Sequence, residues 1–276
     1  MKNNIFVTSI KGFIVGSTML VPGVSGGSMA MILGIYKKLI SSISNLRKDL
    51  KNNLIFLFIF CIGSVLGMIT LSNPIMHLIA NHPKPTLYFF IGAVSGSIPM
   101  IWRETKITRV KPRHFLYVFL GIIIVVFISL IPDSTEINKH IPKSFEVLYL
   151  VLVGMILAIA LILPGISISF MLLIMGIYEK VMNAIGSLDI FYLLPLIAGI
   201  VIGIFISTGI LEKAMMRYPQ ATYLIILGFI LGSLPDTFPG LPTYLEWIYC
   251  SITLALGFSS IYFLSAFENK KSRNYK

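Results

Sequence analysis

Long apolar runs alternate with short polar stretches along most of the chain. Runs at 54–71, 115–131, 190–210 and 247–267 approach the roughly 20 residues an α-helix needs to cross a hydrocarbon core. Two shorter, glycine-rich runs at 86–101 and 222–235 end near a proline. Spans are therefore predicted near 54–73, 86–101, 114–131, 190–210, 221–235 and 246–267. Two further apolar stretches, 12–36 and 147–178, are interrupted by PGVSGGS at 22–28 and PGISIS at 164–169. Proline removes a backbone donor and glycine tolerates non-helical angles, so each helix is predicted to break there.

The interruptions belong to an internal duplication. Residues 12–36 align without a gap on 154–178 with ten identities, among them Pro22 with Pro164, Ser25 with Ser167 and Tyr36 with Tyr178. A second block pairs Gly63 and Gly67 with Gly199 and Gly203, and Gly92, Gly96 and Pro99 with Gly228, Gly232 and Pro235. Collinear matching of both blocks divides the chain into a first repeat (1–101), a connecting region (102–146) and a second repeat (147–276). The four-residue spacing of Gly92 with Gly96 and Gly228 with Gly232 favours close helix packing.

Charge then orients the chain. If both interrupted segments are re-entrant hairpins, the termini and the loops at 37–51, 102–113 and 211–220 share one face. Of 22 Lys and Arg, four (Lys84, Lys139, Lys143 and Lys180) fall on the opposite face, which leaves 18 on the shared one. Full crossing by both segments would place the basic tail opposite the most basic loops, against the positive-inside bias. The fold class expected is an all-α integral membrane protein with two inverted-topology repeats. It has six full transmembrane helices, two re-entrant helical hairpins and cytoplasmic termini, an architecture typical of transporters.

Composition agrees. Hydrophobic residues make up 56% and charged residues 12%, against about 25% charged in ordinary soluble domains, and the mean hydropathy is +0.89. The net charge of +11 sits in short loops and forms no surface suited to nucleic acid. Cys61 and Cys250 lie in apolar runs and read as small buried hydrophobes. His77, His82, His114 and His140 are expected at solvated interfaces. A signal-peptide reading of the N-terminus is set aside because the same segment recurs mid-chain.

Neither catalytic constellations nor metal-ligand spacings appear, so no enzyme chemistry, cofactor or metal is expected. The informative residues are Pro22, Gly23, Ser25, Gly26, Gly27 and Ser28 in the first motif, and Pro164, Gly165, Ser167 and Ser169 in the second. Non-helical backbone at membrane depth must be buried in protein or line a wet cavity. A break opens backbone N–H groups that attract anions, the serines add hydroxyls, and Gly26 and Gly27 let a ligand approach the backbone. Hydrogen bonds to a charged group contribute about 1.5–3 kcal/mol each, so several could hold a phosphate without a lysine. Tyr36 and Tyr178 are expected to anchor the hairpin ends at the interface, with Glu179 in support. A simple kinked helix remains the structural alternative. A small soluble anion as cargo, a lipid phosphatase and a structural subunit are competing functions.

PGVSGGSMAMILGIY followed by PGISISFMLLIMGIYE resembles the PopT family of bacterial polyprenyl-phosphate transporters, over essentially the whole chain. The resemblance implies return of undecaprenyl phosphate from the outer to the inner leaflet of the cytoplasmic membrane, for recycling in cell-envelope synthesis. Its implied partners are the polyprenyl-phosphate lipid and the bilayer, with a homo-oligomer allowed. Two positions depart from the family pattern. Ile168 stands where the second motif normally has glycine. Lys37 stands where the first commonly has an acid, which Glu179 keeps in the second.

Overall fold

The computed structural model describes residues 5–19, 21, 24–131, 143–187 and 189–273, with side chains for all of these except 143, 144 and 264–273. Every regular element among them is helical: α1 (Ile5–Thr18), α2 (Gly26–Ile32), α3 (Tyr36–Ser44), α4 (Leu50–Asn81), α5 (Pro83–Glu104), α6 (Pro112–Ser129), α7 (Lys143–Ile162), α8 (Ile168–Ile174), α9 (Tyr178–Gly186), α10 (Ile190–Arg217), α11 (Pro219–Gly232), α12 (Leu234–Thr237) and α13 (Glu246–Arg273).

Five helices among the described residues are long and apolar enough to cross a membrane, namely α4, α5, α6, α7 over Phe145–Ile162, and α10. A sixth is added if the bent pair α8–α9 counts as one span. Four of the five coincide with predicted spans, and the expected span at 246–267 falls within α13. The span expected at 221–235 is divided. α11 has 14 residues, about 21 Å at 1.5 Å per residue, and the chain turns at Ser233 before α12. The duplicated proline behaves differently in its two copies: Pro99 lies inside α5, whereas Pro235 sits in the first turn of α12. α7, with 20 residues, reaches about 30 Å, so the first limb of the expected 147–178 hairpin is itself long enough to cross. Its continuation is not straight, because α8 and α9 meet at a bend of 118°.

Glycines set how the helices pair. A Cβ on Gly12 or Gly16 would strike the backbone of Phe60 or Ser64, and one on Gly63 or Gly67 the backbone of Ser9 or Phe13. Side chains are therefore excluded from the α1–α4 seam, and the rising numbers on both sides show that the helices run parallel. α7 and α10 repeat this arrangement, with Gly154 against Leu196 and Ile200, Gly199 against Val151, and Gly203 against Met155 and Ala158. α5 runs parallel to α13 through Gly92 at Leu254, Gly96 at Phe258 and Gly257 at Phe89. α11 runs parallel to α6, with Gly228 against Val118 and Gly121, and Gly232 against Ile122 and Val125. The packing role expected for the spaced glycines is thus observed. These four pairs are the most extensive helix contacts among the described residues. α6, from the stretch expected to connect the halves, packs on α11 as α13 packs on α5.

The largest buried cluster gathers α2, the start of α3 and parts of α5 and α11, including Met29, Ile32, Tyr36, Ile101, Tyr223 and Ile226. Large apolar side chains such as Phe58, Ile69, Phe115, Phe127 and Phe191 point outward, the inverse of a soluble surface and suited to lipid as solvent. Two side chains depart from expectation. Cys61 is exposed on α4, while Cys250 is buried as anticipated. His114 is not solvated but 3% exposed, and its Nδ1 accepts the Lys111 N–H at the start of α6 (3.0 Å). His77 and His82 are exposed, and His140, Pro22 and Gly23 lie outside the described residues.

Candidate functional site

The two interrupted segments are built by the same local chemistry. α1 stops where Ser17 donates to Ile14 O (2.9 Å) and Thr18 to Val15 O (2.9 Å), hydroxyls turning back onto the last carbonyls. Ser25, extended at φ −88° and ψ 145°, caps α2 by accepting from Ser28 N. Ser167, at φ −87° and ψ 129°, caps α8 by accepting from Phe170 N. The matched serines are therefore N-caps first, each taking one of the N–H groups a helix start leaves unpaired.

The far ends match as well. Gly34 and Gly176 adopt φ of 65° and 66°. In each, the following N–H reaches back along the short helix, Ile35 to Ala30 O (3.0 Å) and Ile177 to Leu172 O (3.1 Å). This is the αL glycine C-cap, and it explains why GIY recurs. One carbonyl at each end is tied to the preceding helix by a different side chain: Lys11 Nζ donates to Leu33 O (2.6 Å), and Tyr149 Oη to Met175 O (2.7 Å). Only the tertiary contact reveals these ties, since Lys11 and Tyr149 are not equivalent positions.

The segments, about 140 residues apart in sequence, meet. Gly165 N–H donates to Ser25 Oγ (3.0 Å). Tyr36 Oη donates to Ile162 O (2.9 Å), one of the last carbonyls of α7. A Cβ on Gly27 would lie 3.1 Å from Ile162 O and 3.2 Å from Pro164 N, and Gly165 (φ +86°) presses on the backbone of Phe229. Ser25 Oγ also lies 2.9 Å from Ser28 Oγ. Beside this junction is a cleft of about 50 Å³ lined by Met19, Val24, Ser25, Gly26, Ala160, Leu161, Ile166, Ser167 and Ile168. A water needs roughly 10–15 Å³ on this measure, so the cleft admits a few waters or one small polar group. Its walls are apolar apart from the two serines and backbone, and none of its lining residues is charged.

Not every predicted site residue lies at the junction in the same way. Ser28, Gly27, Pro164 and Gly165 are buried, Ser25 and Gly26 half-buried, and Ser167 and Ser169 exposed. Ile168, half-buried, fills the second side of the cleft where the first has Gly26. Tyr36 is no interface anchor: it is 2% exposed because its hydroxyl bridges to the other half. Tyr178 is half-buried and Glu179 exposed. The sequence does not announce a further tie between the halves: Asn45 Nδ2, at the C-cap of α3, donates to both carboxylate oxygens of Glu212 on α10 (2.7 and 2.6 Å). Among the described residues no group of three His, Cys, Asp or Glu could hold a metal.

Comparison with known proteins identifies the family. The family described as "Undecaprenyl phosphate translocase-like" matches residues 15–253. A polyprenyl-phosphate transporter of Staphylococcus aureus (strain NCTC 8325 / PS 47) is 34% identical over 267 residues, covering 92% of this chain and 93% of that protein. A polyprenyl-phosphate transporter of Vibrio cholerae serotype O1 (strain ATCC 39315 / El Tor Inaba N16961) is 32% identical over 258 residues, covering 88% of this chain and 80% of its own. No solved structure matches. The family is one of transporters and not of enzymes, and both motifs and the junction fall within the matched stretch. This multi-pass membrane chain, with its two serine-capped helix breaks joined across the molecule, belongs to the undecaprenyl phosphate translocase-like family of polyprenyl-phosphate transporters.

Proposed function

We propose that the chain returns undecaprenyl phosphate from the outer to the inner leaflet of the bacterial cytoplasmic membrane, with the lipid's phosphate held at the junction of the two motifs. One observation carries this: matched residues of the two motifs, Val24, Ser25 and Gly26 with Ile166, Ser167 and Ile168, line one small cleft. The polyprenyl tail never has to leave the bilayer, so only the phosphate needs polar partners. Backbone N–H groups and the Ser167 hydroxyl supply them in surroundings where an unmade hydrogen bond is costly. The apolar walls suit the first carbons of the tail.

The parallel glycine seams support the inverted arrangement. Because α1 and α4 run parallel, the chain between them returns to the face where α1 began, as a re-entrant segment does. The same holds for α7 and α10. A chain reversing between consecutive long helices then gives α1, α4 and α6 one direction and α7, α10 and α13 the other. Rocking of such halves around a shared site is the expected route of alternating access, with six crossing segments, two re-entrant ones and cytoplasmic termini.

The test is reconstitution in liposomes carrying undecaprenyl phosphate, with a leaflet-specific assay of the lipid phosphate and Gly27→Leu in parallel. The leucine would drive into the backbone of Ile162 and Pro164, so transport should fall at least tenfold when measured on the folded fraction isolated by size-exclusion chromatography. Movement of free phosphate in place of the lipid, or full transport by Gly27→Leu, would refute the reading.

A further inference from the structure

The Ser25 hydroxyl has no capacity left. A hydroxyl offers one donor and two acceptor positions. Ser25 Oγ accepts from Ser28 N (3.1 Å) and from Gly165 N (3.0 Å), which leaves its proton for Ser28 Oγ at 2.9 Å. It therefore cannot act as a donor to a phosphate in this conformation. It occupies the position a phosphate oxygen would take against the Gly165 N–H. A Cβ at Gly165 would strike Phe229 O, so this donor belongs to backbone packed closely on α11, whereas Ser25 Oγ moves by rotation about a single side-chain bond. The second cross-half bond, Tyr36 Oη to Ile162 O (2.9 Å), lies three residues before Gly165 on the same stretch. The two bonds are the polar ties between the motifs among the described residues, and each joins the first half to the second.

We propose that Ser25 and Tyr36 form a latch that holds the two motifs closed on one another, and that the lipid phosphate opens it by displacing Ser25 from the Gly165 N–H. This rests on the junction being the phosphate site. It supplies what a transport cycle requires: a ligand shifts a conformational equilibrium only through contacts that differ between its states. Here the ligand exchanges a bond between the halves for a bond to itself. Filling the site and loosening the closed state become one event, and an empty carrier stays latched.

The latch reverses the ordinary expectation for a serine in a phosphate site. Removing a direct contact weakens binding, but removing a competitor tightens it. Ser25→Gly is the informative variant, because glycine caps a helix nearly as well as serine. Binding of undecaprenyl phosphate to purified protein in nanodiscs should tighten about two- to tenfold, the worth of one neutral hydrogen bond no longer broken. Ser25→Asp keeps the cap and holds the Gly165 N–H with a carboxylate, so binding should fall below detection while the protein remains folded. Weaker binding by Ser25→Gly would make Ser25 a direct ligand and overturn the latch while leaving the site in place. Wild-type binding by Ser25→Gly with binding lost in Gly27→Leu would overturn it as well. Should Ser25→Gly fail to fold, wild-type binding by Ser25→Asp decides against it. Wild-type binding by Gly27→Leu and both Ser25 variants alike would remove the site itself, and the latch with it.

Discussion

Replacing Tyr36 by phenylalanine isolates one bond across the junction. The ring keeps its place, since the side chain is 2% exposed in the largest buried cluster, so almost no packing is lost. What disappears is the donor to Ile162 O at 2.9 Å. That carbonyl is among the last of α7, where the helix offers no N–H of its own, and Pro164 two residues on has none to give. Leaving a buried acceptor unpaired costs about 1–3 kcal/mol, with the low end applying if water enters from the adjoining cleft. The matched change Tyr178→Phe is the control. Tyr178 is half-buried and makes no corresponding bond among the described residues, so its loss should amount to less than half as much. The assay is reversible unfolding of purified protein in mixed micelles, monitored for both variants and the wild type. Equal stability of Tyr36→Phe and wild type, or an equal loss in both variants, would refute the claim that this hydroxyl ties the halves.

Two further outcomes test the frame that carries the junction. Gly228→Leu, whose Cβ would meet the Val118 carbonyl, should abolish folded yield by forcing α6 and α11 apart. Gly186→Leu, with nothing within 4 Å, should express normally, as read by size-exclusion chromatography of the detergent extract. Single cysteines at Lys48 and Arg109, in a background lacking Cys61 and Cys250, should react only from the cytoplasmic side, and those at Asn81 and Asp236 only from outside. Opposite sidedness of Lys48 and Arg109 would break the proposed inverted arrangement.

The class of the molecule, its helices and its duplicated motifs could be read from the chain because each depends on local causes. Apolar run length sets a span, proline with glycine sets a break, and serine before a helix start sets a cap. The PG[VI]S and GIY segments are legible for this reason, down to the αL glycines at Gly34 and Gly176. The glycine spacing likewise announced close packing, although not its partners. Only the tertiary structure decided that α5 packs on α13 and α11 on α6, since which glycine faces which carbonyl depends on contacts more than 100 residues apart in sequence. It alone placed Tyr36 inside the protein rather than at an interface, because a tyrosine next to a turn reads the same whether its hydroxyl meets water or a distant carbonyl. The direction of the hydrogen bonds at Ser25 is the sharpest case. A hydroxyl can donate or accept, and the residue type does not choose between them. Here the N–H groups of Ser28 and Gly165, brought in from both halves, make it an acceptor.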